Sequence, residues 1–133
     1  MKARKVGDLD PTAALRPNVD AIVRVRSDEL RGYAEEALTP EAGEAQHQMR
    51  IAAKRLRYVL EVFAPCLGEE ADAARRDAKR LQSVLGDLHD CDLMLPKVEH
   101  IPSLSKLLQE RRERLFDEFA DLWRSLDVHL SFP

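Results

Sequence analysis

Residues 47–58 read His47-Gln48-Met49-Arg50-Ile51-Ala52-Ala53-Lys54-Arg55-Leu56-Arg57-Tyr58. Their apolar and basic members separate cleanly at a helical period. At about 100° per residue, His47, Arg50, Lys54, Arg57 and Tyr58 fall within an arc of roughly 100°. Met49, Ala53 and Leu56, continued by Leu60 and Phe63, take the opposite side. One face is therefore core, and the other is a ladder of cations that meets no carboxylate until Glu61. Such a ladder suits a polyanion.

Outward from this stretch, prolines divide the chain into four helical segments, and the alternation expected of strands is absent. The first is expected over about 18–38, after Pro17. The second begins near Pro40, with Thr39 as N-cap and Pro at the first helical position, and ends before Pro65 and Gly68; Gly43 can delay its start. The third spans about 69–95 and stops at Pro96. The fourth runs from Ser103 and fades near Val128. Residues 1–17 read as a loose N-terminal arm and 18–133 as one unit. Four amphipathic helices with short connections predict an all-α, antiparallel four-helix bundle.

Whole-chain charge points elsewhere: 21 Lys and Arg against 24 Asp and Glu leave a formal charge of −3 in 133 residues. The basic signal is local, so net charge is the wrong statistic for it. The length fits one domain, and 44% apolar content is enough for a core. Cys66 and Cys91 lack metal-type spacing and nothing resembles a leader, which leads us to expect a cytoplasmic protein. No apolar run approaches the roughly 20 residues that span a bilayer, so no membrane partner is expected.

The third segment has a second two-sided pattern. Arg75, Lys79, Gln82, Gly86, His89 and Asp90 share one side, and Ala74, Ala78, Leu81, Leu85 and Leu88 the other. A mid-helix glycine costs about 1 kcal/mol relative to alanine, so Gly86 reads as a point where another helix or a ligand comes close.

The motif His47-x-x-Arg50-x-x-x-Lys54-Arg55-Leu56-Arg57-Tyr58, followed by Leu81-Gln82-x-x-Leu85-Gly86-x-x-His89-Asp90-x-Asp92, resembles the CHAD domain, an all-helical family that binds inorganic polyphosphate. The resemblance spans roughly residues 18–128. Family members are typically about twice as long, with two four-helix units whose basic surfaces line a shared channel; this chain looks like one unit. The resemblance implies polyphosphate contacts at His47, Arg50, Lys54, Arg57 and Lys79, flanked by Arg55, Arg75, Arg76 and Arg80. His89 stands where the family often has Arg, and a neutral imidazole would weaken that contact. The resemblance carries over no catalytic residue. A homodimer would restore the symmetric channel, with the apolar flank of Ile51 and Val62 as a candidate contact. An association with polyphosphate granules is a further expectation.

Plainer readings compete. A basic helix face can be merely solvated, since like charges at i,i+3 or i,i+4 cost only about 0.2–0.5 kcal/mol per pair. His47 could instead satisfy a backbone carbonyl. His89-Asp90-Cys91-Asp92 invites a metal reading, but neighbours on a helix diverge by about 100°, so no metal or other cofactor is expected. Arg26 falls inside the apolar stripe Val19, Ile22, Val23, Leu30, Tyr33, and Arg111 inside Leu104, Leu108, Leu115, Leu122. Each must find a carboxylate such as Asp90 or Asp92, reach outward, or meet an anion. No nucleophile–base pair and no Gly-rich phosphate loop is recognisable, so we expect a non-enzymatic module that binds polyphosphate through the second and third helices. The alternatives are a metal-dependent phosphohydrolase acting on phosphate anhydrides and a nucleic-acid-binding helical module. Low aromatic content argues against the latter.

Overall fold

Four long helices and two single turns make up the computed structural model, which describes residues 3–126. In chain order they are α1 (Leu15–Gly32), α2 (Ala34–Ala37), α3 (Gly43–Val62), α4 (Ala64–Leu67), α5 (Glu69–Val98) and α6 (Pro102–Leu126). No strand occurs among the described residues.

The helix ends differ from the expected ones for local reasons. Pro17 lies inside the first turn of α1, where N–H groups lack intrahelical acceptors in any case. The first segment then breaks at Gly32–Tyr33 instead of running to Leu38. Thr39 does not cap α3: its N–H donates to Glu36 O and its carbonyl accepts from Ala42, so residues 39–42 form a turn. The wholly buried Gln46 organises that turn, its Nε2 donating to the carbonyls of Ala37, Thr39 and Pro40 at 3.1–3.3 Å. Helix α3 starts at Gly43, where an added Cβ would sit 3.0 Å from Asp92 Oδ2, so the glycine leaves room for that carboxylate. Gly68, at φ 76°, turns the chain from α4 into α5 in the left-handed region that favours glycine. Helix α5 passes Pro96 and ends two residues later at Val98; the proline removes the N–H that would donate to the Asp92 carbonyl one turn back. Helix α6 takes Pro102 into its first turn, and its expected end near Val128 lies outside the described residues.

α3 packs along α5, α5 along α6, and α1 against α3. The register of α3 on α5 is antiparallel: Gly43 faces Asp92, His47 faces His89, and Arg50 faces Gly86. Among the described residues no close backbone contact joins α1 and α6, so the long helices pair in a row, α1–α3–α5–α6; the all-helical class is as expected. Within the row, Val19, Leu30, Met49, Leu56, Leu60, Leu81, Leu85, Leu88 and Phe119 are wholly buried. Burial of each such side chain contributes about 1.5–3 kcal/mol. Ile51, half-buried, and Val62, exposed, lie off this core.

Residues 3–14 contain no helix but are tied to α1. The Arg4 N–H donates to Glu29 Oε2 at 2.7 Å, the Arg4 carbonyl accepts from Arg26, and the Asp10 N–H donates to Asn18.

Candidate functional site

The α3–α5 seam gathers most of the residues singled out by sequence. Because the apolar faces of both helices turn toward the core, their basic faces meet along the outer edge of the seam. Arg50 and Arg57 from α3, with Lys79, Gln82, Ser83, Gly86, Asp87 and Asp90 from α5, line a depression of about 260 Å³. Arg50 lies against Gly86, where a Cβ would come within 3.3 Å of its Nε. The missing side chain is thus what lets the guanidinium settle on α5.

Several polar atoms in this depression are buried without a partner. Arg50 Nε and Gln82 Oε1 have no hydrogen bond among the described residues. Arg57 Nε lies 3.5 Å from Glu61 Oε1, an ion-pair distance without hydrogen-bond geometry, while its guanidinium carbon sits 4.9 Å from the Tyr58 ring centre. A buried donor left unpaired costs roughly 1–3 kcal/mol. Asp87 and Asp90 form the acidic side of the rim.

One turn toward the start of α3, the rings of His47 and His89 stack with centroids 3.9 Å apart and planes 15° from parallel. His47 Nδ1 is buried and has no partner among the described residues. Burial, and then the neighbouring His89, push the His47 imidazole below its ordinary value. The two rings line a second depression of about 500 Å³ with Glu41, Gly43, Glu44, Asp92, Leu95 and Arg112.

The other predicted residues go elsewhere. Lys54 is half-buried on the groove face of α3 but lines neither depression. Arg55 donates to Glu29 at 3.1 Å, and Arg26 to the same carboxylate at 3.3 Å. Arg55, on α3, therefore ties α3 to α1, while Arg26 pairs within α1 itself; its partner is Glu29 rather than Asp90, Asp92 or an anion in the groove. Arg75 makes a loose pair with Asp72 at 3.8 Å, worth little at this exposure. Arg76 and Arg80 are exposed on the α5 shoulder that also carries Ser83 and Asp87. Arg111 is exposed beside Cys91, whose thiol is pushed up chiefly by burial. It needs no buried partner because the first half of α6 is peripheral, with Leu104 and Leu107 also exposed.

Sequence reading missed Arg112, which takes the carboxylate expected for Arg111. It donates to Asp92 Oδ1 at 2.5 Å, Pro40 O at 2.7 Å and Gln46 Oε1 at 2.8 Å, fastening α6 to α5 and to the turn before α3. The only sequence signal was an arginine beside the apolar stripe. The reading also missed Glu29, 1% exposed, whose spacing of three from Arg26 was the available clue. No group of three or more His, Cys, Asp or Glu side chains among the described residues could hold a metal. No helix among them is long and apolar enough to cross a membrane.

A family model described as the CHAD domain matches residues 3–99. The chain belongs to the CHAD domain family. This CHAD match takes in the N-terminal segment and all of the α3–α5 seam, and it stops before α6. No match to the chain is found among curated proteins or solved structures.

Proposed function

We propose that this CHAD chain binds inorganic polyphosphate along the α3–α5 seam and does so without catalysis. The observation that carries the reading is the convergence of Arg50, Arg57 and Lys79 from two helices on one depression, where Arg50 Nε is buried with no hydrogen bond among the described residues. Arginine forks can bridge phosphate oxygens and lysine supplies a movable charge, so a row of such groups fits a flexible phosphate chain better than a single shaped ligand. Membership of the CHAD family supports the same ligand. Lys54, Arg75, Arg76 and Arg80 would act as flanking charges. Asp87 and Asp90 would set one edge of the track by repulsion.

The test is competition for bound, labelled polyphosphate at one fixed salt concentration. Unlabelled polyphosphate should displace it, whereas orthophosphate and duplex DNA at equal phosphate concentration should not. Displacement by DNA as effective as by polyphosphate would favour the nucleic-acid reading. Phosphate release that requires an added divalent metal would favour the hydrolase.

We further propose that two copies pair about a two-fold axis so that their seams face a common channel in the cytoplasm. Light scattering at tens of micromolar, with and without polyphosphate, should give twice the 15.1 kDa chain mass. A monomer under both conditions would refute the pairing.

A further inference from the structure

The outer face of the α3–α5 seam is basic in the middle and apolar at both ends. At the α3 end Tyr58 is 48% and Val62 69% exposed; at the α5 end Leu93 is 53% and Met94 46% exposed. Both pairs belong to this face. Arg57, which lines the seam depression, lies over the Tyr58 ring, and Val62 follows one turn later. Met94 shares a depression of about 180 Å³ with Asp87 and Asp90, the acids of the seam rim, and Leu93 stands one turn beyond Asp90 and two beyond Gly86. Because α3 and α5 run antiparallel, the two apolar pairs lie at opposite ends, with Arg50 and Lys79 between them. Four exposed apolar side chains on one face mark it as a contact surface.

The flanking charges identify what covers these ends. On α3, Lys54, Tyr58 and Glu61 follow one another at spacings of four and three; on α5, Asp90, Met94 and Lys97 repeat those spacings with the signs exchanged. Laid side by side in the same direction, the two segments set cation on carboxylate, apolar on apolar and carboxylate on cation. Within one chain α3 and α5 run antiparallel, so this match is open only between two molecules. A second copy turned over by a two-fold axis lying across the seam presents its α3 to the first copy's α5 in the required direction.

We propose that two copies of this chain pair face to face through exchanged ends, Leu93 and Met94 of each seated on Tyr58 and Val62 of the other, which closes the basic seam at both ends. The inference rests on the pairing put forward above and supplies its contact surface; it does not depend on the ligand. A two-fold axis makes both contacts at once, because each surface is the complement of the other. At the exposures given, the two contacts bury on the order of 800 Å² of apolar surface, and their charged flanks bring the total past the roughly 1,000 Å² of a specific interface. An interface at this lower limit dissociates in the micromolar range. Either apolar end paired with its own copy instead would send the two seams in opposite directions from the contact.

The experiment is sedimentation equilibrium of the full chain without polyphosphate, for the parent, Leu93→Glu, Val62→Lys and an equimolar mixture of the two variants. The parent should sediment at twice the 15.1 kDa chain mass at tens of micromolar. Either variant alone carries a damaged surface into both contacts, so its dimer should dissociate at least about tenfold more readily. The mixture should recover. In a mixed pair one contact is parental and the other sets the new carboxylate against the new ammonium, so its dissociation constant should lie about tenfold or more below that of either variant alone. Both positions are exposed, and thermal melts check that the variants fold. If Leu93→Glu does not fold, Met94→Glu takes its place in the same mixture. A variant that dimerises as tightly as the parent, or a mixture no tighter than its components, overturns the exchanged ends while leaving the pairing intact. A monomeric parent overturns both and leaves the polyphosphate reading untouched.

Discussion

Glu29→Leu should unfold the α1–α3 contact without touching the α3–α5 seam. The carboxylate is 2% exposed and accepts three donors: the Arg4 N–H at 2.7 Å, Arg26 Nη1 at 3.3 Å and Arg55 Nη1 at 3.1 Å. Breaking a buried pair by removing one partner typically costs about 3–5 kcal/mol. Here the stranded guanidiniums keep 16% and 26% of their side-chain exposure, so both can reach toward water. That relief, with the burial of a leucine, lowers the expected loss to about 2–3 kcal/mol. For a chain of this size that is a fall in melting temperature on the order of 10 °C. Arg26→Leu should cost less, about 1 kcal/mol, because Glu29 keeps Arg55 and the Arg4 N–H. Urea unfolding with an unchanged slope and thermal melts on both variants measure this, alongside polyphosphate titration of the folded protein. A loss below about 1 kcal/mol for Glu29→Leu, within the range of ordinary surface substitutions, would refute the clasp. So would a drop in polyphosphate affinity matching that of a seam variant.

Arg112→Leu should cost about 2–4 kcal/mol, because it strands the Asp92 carboxylate and the acceptors Gln46 Oε1 and Pro40 O together; a urea midpoint equal to the parent's would contradict it. Gly86→Ala should stabilise α5 by about 0.5–1 kcal/mol through helix propensity. The same methyl lies 3.3 Å from Arg50 Nε and displaces it, so the melting point should rise while polyphosphate affinity falls a few-fold. A rise in both would show that the position of Arg50 on Gly86 is immaterial to binding.

Helical periodicity made most of the fold legible, and it did so through burial. The faces Met49, Ala53, Leu56, Leu60 on α3 and Ala74, Ala78, Leu81, Leu85, Leu88 on α5 are buried as the pattern demands, which brings the two basic faces together. Boundaries were less legible: prolines at 17 and 102 sit within first turns, where N–H groups lack intrahelical acceptors in any case, and α5 runs two residues past Pro96 although that proline removes a helical hydrogen bond. The stripe in α6 misled more: Leu104 is exposed and Leu108 only half-buried, while Phe119, Trp123 and Leu126 supply its core contacts, so Arg111 faces no buried environment. Tertiary partnerships were least visible. Arg112 with Gln46 and Asp92, and Glu29 with Arg55, join residues 20 to 66 positions apart, and a single sequence holds no spacing rule for such pairs. The His47–His89 stack likewise depends on the register between α3 and α5, which neither helix's own pattern fixes.

The most direct measurement of the central claim is the salt dependence of polyphosphate affinity for the parent and for Arg50→Glu combined with Lys79→Glu, one change on each side of the seam. If Arg50, Lys54, Arg57 and Lys79 displace condensed counterions from a single-stranded polyanion, log affinity against log salt should fall with a slope of about −2 to −3. The double variant should lose most of both the affinity and the slope while keeping the parent's melting temperature. A slope near zero in the parent, or a double variant that binds as the parent does, would contradict the seam as the polyphosphate site.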